Sequence, residues 1–149
     1  MRVEEIMIRK ISLKQFKQIY SLVPRLCVEV LILTQDGILL TKRTIAPAKG
    51  QWHIPGGTVL KGEKLENAVK RVAKSELGLN VKVVKFLGVI QYSFRNYFGF
   101  PVGLAYAAKI TGGQLDLDKK LANDAKFFKK LPKNTIQVQK KFIIENINF

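Results

Sequence analysis

Apolar and polar positions along the chain follow two kinds of pattern, helical spacing and strand-like runs. Leu13, Phe16, Ile19 and Tyr20 recur at helical spacing behind Ser12, whose hydroxyl suits the first free amides, and Pro24 closes the segment. The runs LCVEVLIL and GILLTKR flank the turn-like TQDG and predict an antiparallel pair of strands. QWHI reads as a short strand entering a tight turn at PGG. Leu65, Ala68, Val69, Val72, Ala73 and Leu77 mark a second helix, stopped by Gly78, a residue that tolerates a left-handed backbone. VKVVKFLGVIQYSF and PVGLAYAAKI predict two long strands joined by the aromatic loop RNYFGF. Asn134 is the expected cap of a closing helix through Phe142 and Ile143. Helices and strands alternate irregularly, with no linker or repeat. The pattern therefore predicts an α+β fold, residues 1–149 forming one domain with an N-terminal helical extension over 1–24.

Composition narrows this picture. The 149 residues are enough to bury a full core, and 47% hydrophobic content fits a globular chain. Apolar runs fall short of the roughly 18 residues needed to span a bilayer. MRVEEI carries two acids and no apolar stretch, unlike a secretory leader, so a cytoplasmic location without membrane association is expected. Cys27, the one cysteine, lies in an apolar run and reads as a buried thiol. A net charge of +15 favours anionic partners, but the lysines are scattered rather than gathered in a block. Nucleic acid is accordingly a less favoured partner than a small nucleotide.

Candidate chemistry concentrates in GQWHIPGGTVLKGEKLENAVKRVAKSELGL, residues 50–79. Gly56 and Gly57 allow the backbone to turn and to approach an ion without a Cβ in the way. Positions 72, 75 and 76 lie three or four residues apart and project to one side of the helix. Carboxylates at all three would hold a metal ion against a diphosphate; the residues present are Val72, Ser75 and Glu76. Glu29 interrupts an otherwise apolar strand, and a carboxylate on an inner face needs a partner. His53 is either a satisfied structural histidine or a proton acceptor. Glu63 and Arg71 form either an ion pair or part of a ligand set. Tyr92, Phe94, Tyr97, Phe98 and Phe100 either stack a nucleobase or pack a lid or dimer interface, with Arg95 and Asn96 at the polar tip.

Gly57, Glu63, Arg71, Glu76, Gly78 and Leu79, preceded by QWHIPGG, resemble the Nudix box in residue type and spacing. The resemblance implies the Nudix fold, a mixed β-sheet sandwiched between helices. Val72 and Ser75 replace two glutamates of the usual box. The chain is similar in this respect to the GDP-mannose mannosyl hydrolase branch, which it also resembles in the segments around Phe16 and Pro24, GILLTKRTIAPAKGQWHIPGG, SELGL and FLGVIQ. That branch cleaves at the sugar carbon, water displacing an intact nucleoside diphosphate with inversion. One metal and well-placed arginines can neutralise such a leaving group.

The resemblance implies a nucleotide-sugar hydrolase using Mg2+, with Mn2+ as an alternative, held by Glu76 and the Gly56 carbonyl. Arg43 and Arg71 would meet the diphosphate, Tyr92 would contact substrate, and Glu29 would organise the site. A homodimer joined partly through the N-terminal segment is also implied. The branch's adjacent glutamine and histidine, a metal ligand and a base, fall on Leu121 and Ala122. Asp124 and Glu29 are the candidate replacement bases. Two other readings stay open: a general Nudix pyrophosphatase, and a nucleotide or nucleic-acid binder with little turnover.

Overall fold

The protein is described by a computed structural model over residues 11–46, 48–93 and 100–148. In chain order the elements are α1 (Leu13–Tyr20), β1 (Arg25–Thr34), β2 (Gly37–Arg43), β3 (Trp52–His53), β4 (Gly56–Thr58), α2 (Leu65–Leu77), β5 (Leu79–Gln91), β6 (Pro101–Gly113), β7 (Ala122–Phe128) and α3 (Gln137–Asn146). The sheet runs β3-β2-β1-β6-β5, with β4 also on β1 and β7 on β2. β1 and β6 are parallel from Arg25↔Pro101 to Ile32↔Ala108, whereas the other ladders are antiparallel. This is the mixed sheet of an α+β fold.

Successive side chains of a strand point to opposite faces, and β1 uses both faces. Val28, Val30 and Ile32 pack with Ala68, Val69, Val72, Ala73 and Leu77 of α2. Leu31 belongs to the other core, with Ile38, Leu40, Ile54 and Ile143, the last carried by α3. Burying a side chain such as Leu77 stabilises the fold by about 2 kcal/mol. α2 ends where Gly78 adopts φ 71° and returns its N–H to the Lys74 carbonyl. α1 starts in a capping box: Gln15 N donates to Ser12 Oγ at 3.2 Å, and Ser12 N donates to Gln15 Oε1 at 3.2 Å.

Two local expectations are corrected, and one strand is added. PGG is no tight turn: Gly56 and Gly57 lie in β4, paired with Glu29 and Val28, and neither has a positive φ. They are needed for space. A Cβ on Gly56 would lie 2.5 Å from Glu29 Oε2, and one on Gly57 would lie 2.9 Å from Val72 Cγ2. Asn134 does not cap α3, whose cap is Ile136; its side chain instead donates to the Gly50 carbonyl at 3.2 Å. Residues 122–128, which carry no regular alternation, form β7 because β2 offers them a free edge. Phe94, Arg95, Asn96, Tyr97 and Phe98, and residues 1–10 of the expected extension over 1–24, lie outside the described residues.

Gly103 of β6 also makes room for Glu29: an added Cβ would sit 2.6 Å from its Oε1 and 2.7 Å from its Cγ. Gly103→Ala is expected to destabilise the protein by roughly 1–3 kcal/mol through overpacking, measured by urea unfolding. An unchanged midpoint would show that the carboxylate can move away without cost.

Candidate active site

The first three odd-numbered residues of β1 line a cavity of about 110 Å³ on the α3 side of the sheet. Arg25, Cys27 and Glu29 come from β1, Arg43 from β2, His53 from β3, Gly56 and Gly57 from β4, and Gln139 from α3. Tyr92, just past β5, completes the wall with Ile54, Pro101 and Ile136.

Glu29 is 5% exposed and finds its partner in Tyr92, whose hydroxyl donates to Oε1 at 2.6 Å. Gln139 Nε2 donates to the same phenol oxygen at 2.7 Å, while its Oε1 accepts from Ile54 N at 2.6 Å. Desolvation pushes the Glu29 carboxyl up to about 7, against the opposing pull of the Tyr92 hydrogen bond and of the Arg25 and Arg43 charges.

Glu76 stands behind Gly57; a Cβ added there would lie 3.9 Å from Glu76 Oε1. Burial, then repulsion from Glu29 and Asp118, raises its carboxyl to about 8, with Arg43 and Arg71 opposing. A half-buried Glu76 whose proton is held partly by the Glu29 charge is a fit for a cation. The local shape supports this: β4 has no Cβ between Glu29 and Glu76. Among the described residues, no three His, Cys, Asp or Glu side chains are close enough to hold a metal, so a backbone oxygen such as that of Gly56 would be needed. The other two box positions cannot help. Val72 is in the core at 1% exposure, and the exposed Ser75 donates its hydroxyl back to the Val72 carbonyl at 3.4 Å.

Arg71 is engaged in a structural pair. Its Nε donates to Glu63 Oε1 at 2.6 Å, and its Nη2 donates to Glu63 Oε2 at 3.1 Å and to the Thr58 carbonyl at 2.8 Å. Glu63 Oε2 also accepts from Leu60 N at 3.0 Å. Burial would raise the Glu63 carboxyl, but the Arg71 hydrogen bond and the Leu60 amide hold it below the usual range. The ion-pair alternative is thus the observed one. This network ties β4 to α2, and Arg71 is not on the wall of the Glu29 cavity.

His53 is also accounted for. Its Nδ1–H donates to the Ile54 carbonyl at 2.7 Å, leaving Nε2 to accept from Thr41 Oγ1 at 3.0 Å. Burial, then the Arg43 charge, lowers its pKa to about 3, so it remains neutral. Burial pushes the Cys27 thiol up to about 11, consistent with an inert side chain. Asp124 is not brought to the cavity. It lies on β7, its side chain 40% exposed, paired with Lys126 at 3.4 Å. Tyr92 meets Glu29 and Gln139 through its hydroxyl. Phe100, outside the wall, has φ 43°. Sequence reasoning missed Gln139; its only signal was a glutamine on the apolar side of a closing helix.

The NUDIX domain profile matches residues 23–125. The chain is 36% identical over 127 residues to an ADP-ribose pyrophosphatase of Methanocaldococcus jannaschii, covering 85% of this chain and 73% of that one. It is 39% identical over 80 residues to the low-salt glycan biosynthesis protein Agl8 of Haloferax volcanii, a match over 54% of this chain and 51% of Agl8. The chain thus spans only about half the length of that relative. Among solved structures, a MutT NUDIX hydrolase from Burkholderia pseudomallei superposes with a TM-score of 0.75 at 26% identity, covering 84% of this chain and 98% of that one. A UDP-X diphosphatase shares the fold at TM-score 0.64 and 18% identity, covering 91% and 71%.

The paired carboxyls have a consequence for stability. Both titrate above their ordinary value of 4.5, so the protonated forms favour the fold. That contribution is complete below about 4.5 and is lost as pH rises through about 7 and about 8. The Tm of metal-free protein is expected to fall across this window, and Glu76→Gln to flatten the fall, in calorimetric scans. Equal slopes in the two proteins would show that Glu76 is already solvated.

Proposed function

The chain belongs to the Nudix family, and on that premise we propose that it is a divalent-metal-dependent hydrolase of a nucleotide sugar, GDP-mannose-like, in which water attacks the sugar's anomeric carbon with inversion and the nucleoside diphosphate leaves intact. The observation that carries this reading is the carboxylate count: α2 brings one, Glu76, and β1 brings the other, Glu29. Val72 is committed to the core, so the helix cannot supply the larger acidic set that attack at phosphorus uses in the usual box. A relative named for glycan biosynthesis is compatible with a sugar-bearing substrate.

Mg2+ or Mn2+, held by Glu76 and the Gly56 carbonyl, would neutralise charge developing on the diphosphate. Arg43, on the cavity wall, adds a fixed positive charge toward the same group. The attacking water must lose a proton. Glu29, at about 7, is matched to that task near neutral pH, whereas His53 at about 3 is not and Asp124 is outside the cavity. Arg71 would act through its hold on Glu63 and Thr58 rather than on the diphosphate itself. Tyr92, sealed at 5% exposure, would serve the substrate through Glu29.

Among the described residues, no helix is long and apolar enough to cross a membrane. Homodimerisation through the N-terminal segment is part of the proposal, since α1 buries none of its residues and Leu13 is 68% exposed. A second enzymatic reading, attack at phosphorus, is favoured by the likeness to the ADP-ribose pyrophosphatase.

The test is turnover of a nucleotide-sugar panel with Mg2+, resolving the products. Free sugar with nucleoside diphosphate is expected; sugar phosphate with nucleoside monophosphate would replace this reading by ordinary pyrophosphatase chemistry. Binding without products, with affinity falling steeply in salt, would make the protein a binder of longer polyanions. Glu76→Gln is expected to lower kcat at least about 100-fold with the fold intact, as one charge-stabilising group is lost. Arg43→Met is expected to weaken nucleoside diphosphate binding by about 2 kcal/mol in calorimetry, the scale of a charge-assisted hydrogen bond. Parent-like affinity would place that guanidinium away from the ligand.

A further inference from the structure

Five polar or charged residues are buried among the described residues: Glu29, Thr41, His53, Thr135 and Gln139. Thr41 and His53 satisfy each other, and Thr135 Oγ1 donates to the Pro132 carbonyl at 2.8 Å. The remaining two are joined through Tyr92 into a chain whose polarity is fixed by its first member. Ile54 N–H can only donate, so the Gln139 atom facing it at 2.6 Å must be the amide oxygen. The Gln139 NH2 then faces Tyr92 at 2.7 Å, and this group can only donate. The phenol oxygen must therefore accept there, which leaves its single proton for Glu29 Oε1 at 2.6 Å. Each bond determines the direction of the next.

The chain also determines which carboxylate oxygen remains available. Oε1 is occupied by Tyr92 and shielded by Gly103, where an added Cβ would come within 2.6 Å. Oε2 faces β4, where Gly56 leaves space. We propose that Tyr92 and Gln139 are positioning residues: the Ile54–Gln139–Tyr92 chain locks Glu29 so that Oε2 is presented to the attacking water. This rests on the proposed function, in which Glu29, on the cavity wall beside Gly56, faces the attacking water. It makes α3, remote from the box in sequence, a working part of the site.

The chain predicts a specific dependence among variants. Gln139 reaches Glu29 only through the Tyr92 hydroxyl, so its effect should vanish once that hydroxyl is gone. In the full chain with Mg2+ and the nucleotide sugar that the parent turns over, Tyr92→Phe and Gln139→Leu are each expected to lower kcat about 10-fold, with KM and Mn2+ affinity near the parent's. The double variant should be no slower than Tyr92→Phe alone. Gln139→Glu keeps the acceptor for Ile54 but draws the Tyr92 proton toward itself, so it should lose kcat while melting close to the parent, which guards against a Gln139→Leu protein that fails to fold. Multiplicative losses in the double variant, or a fall in Mn2+ affinity parallel to kcat, would overturn the proposal. A parent inactive on every nucleoside diphosphate derivative would instead overturn the functional reading. In that case the Tyr92 hydroxyl proton in NMR spectra decides the chain: its resonance should move or disappear in Gln139→Leu, and an unshifted resonance would refute the chain.

Discussion

Burying an ionisable carboxyl in the central strand of a sheet is costly, and Glu29 imposes that cost on every element around it. Strands β4 and β6 carry glycines where a Cβ would strike the carboxylate: Gly56 at 2.5 Å and Gly103 at 2.6 Å. The segment after β5 supplies the Tyr92 donor, and α3 supplies Gln139 to orient that donor. Arg25 and Arg43 lower the carboxyl's pKa without cancelling its desolvation. The result is a group near neutral pKa with one oxygen held and one open. Such a group is poised for proton transfer in a way that a solvated glutamate is not.

The same economy of space explains the unusual box. Val72 contributes a methyl group to the α2 core within reach of Gly57, so the helix packs closely against β4. A carboxylate at that point would have to be accommodated beside Glu76, whose pKa is already raised by Glu29 and Asp118. With Val72 apolar, the helix retains Glu76 alone, held protonated by burial and by the Glu29 and Asp118 charges, a position where a divalent ion would be favourable. The Arg71–Glu63 pair serves a different purpose. It closes the connection between β4 and α2, using the Thr58 carbonyl and the Leu60 amide as further anchors. Three ion pairs are present among the described residues, against a net charge of +15.

What could be read from the sequence follows short-range physics. Helical spacing placed α1 and α2, with Ser12 and Gly78 at their ends, because caps and apolar stripes are local properties. The TQDG hairpin was legible for the same reason. The box residues Gly57, Glu63, Arg71 and Glu76 were legible from their resemblance to the Nudix box in type and spacing, and the apolar context of Glu29 implied a buried partner. β7 was not legible, since ANDAKFF forms a strand only where β2 leaves an edge open. Gly56 and Gly57 were recognised as positions without a Cβ, but their reason is the Glu29 carboxylate and Val72 rather than a turn, and that contact spans about thirty or fewer residues of sequence.

The sequence by itself determined the fold class, the start of α1 and the end of α2, and the family of the chemistry, since each depends on residues close together in the chain. Tertiary structure decided the rest. It separated Asp124 from the cavity, assigned Arg71 to Glu63, silenced His53 by burial and two hydrogen bonds, and brought Gln139 from the last helix to Tyr92. Those outcomes depend on which groups share a low-dielectric space and on the direction of each hydrogen bond. Only the folded chain brings such groups within 3 Å of one another.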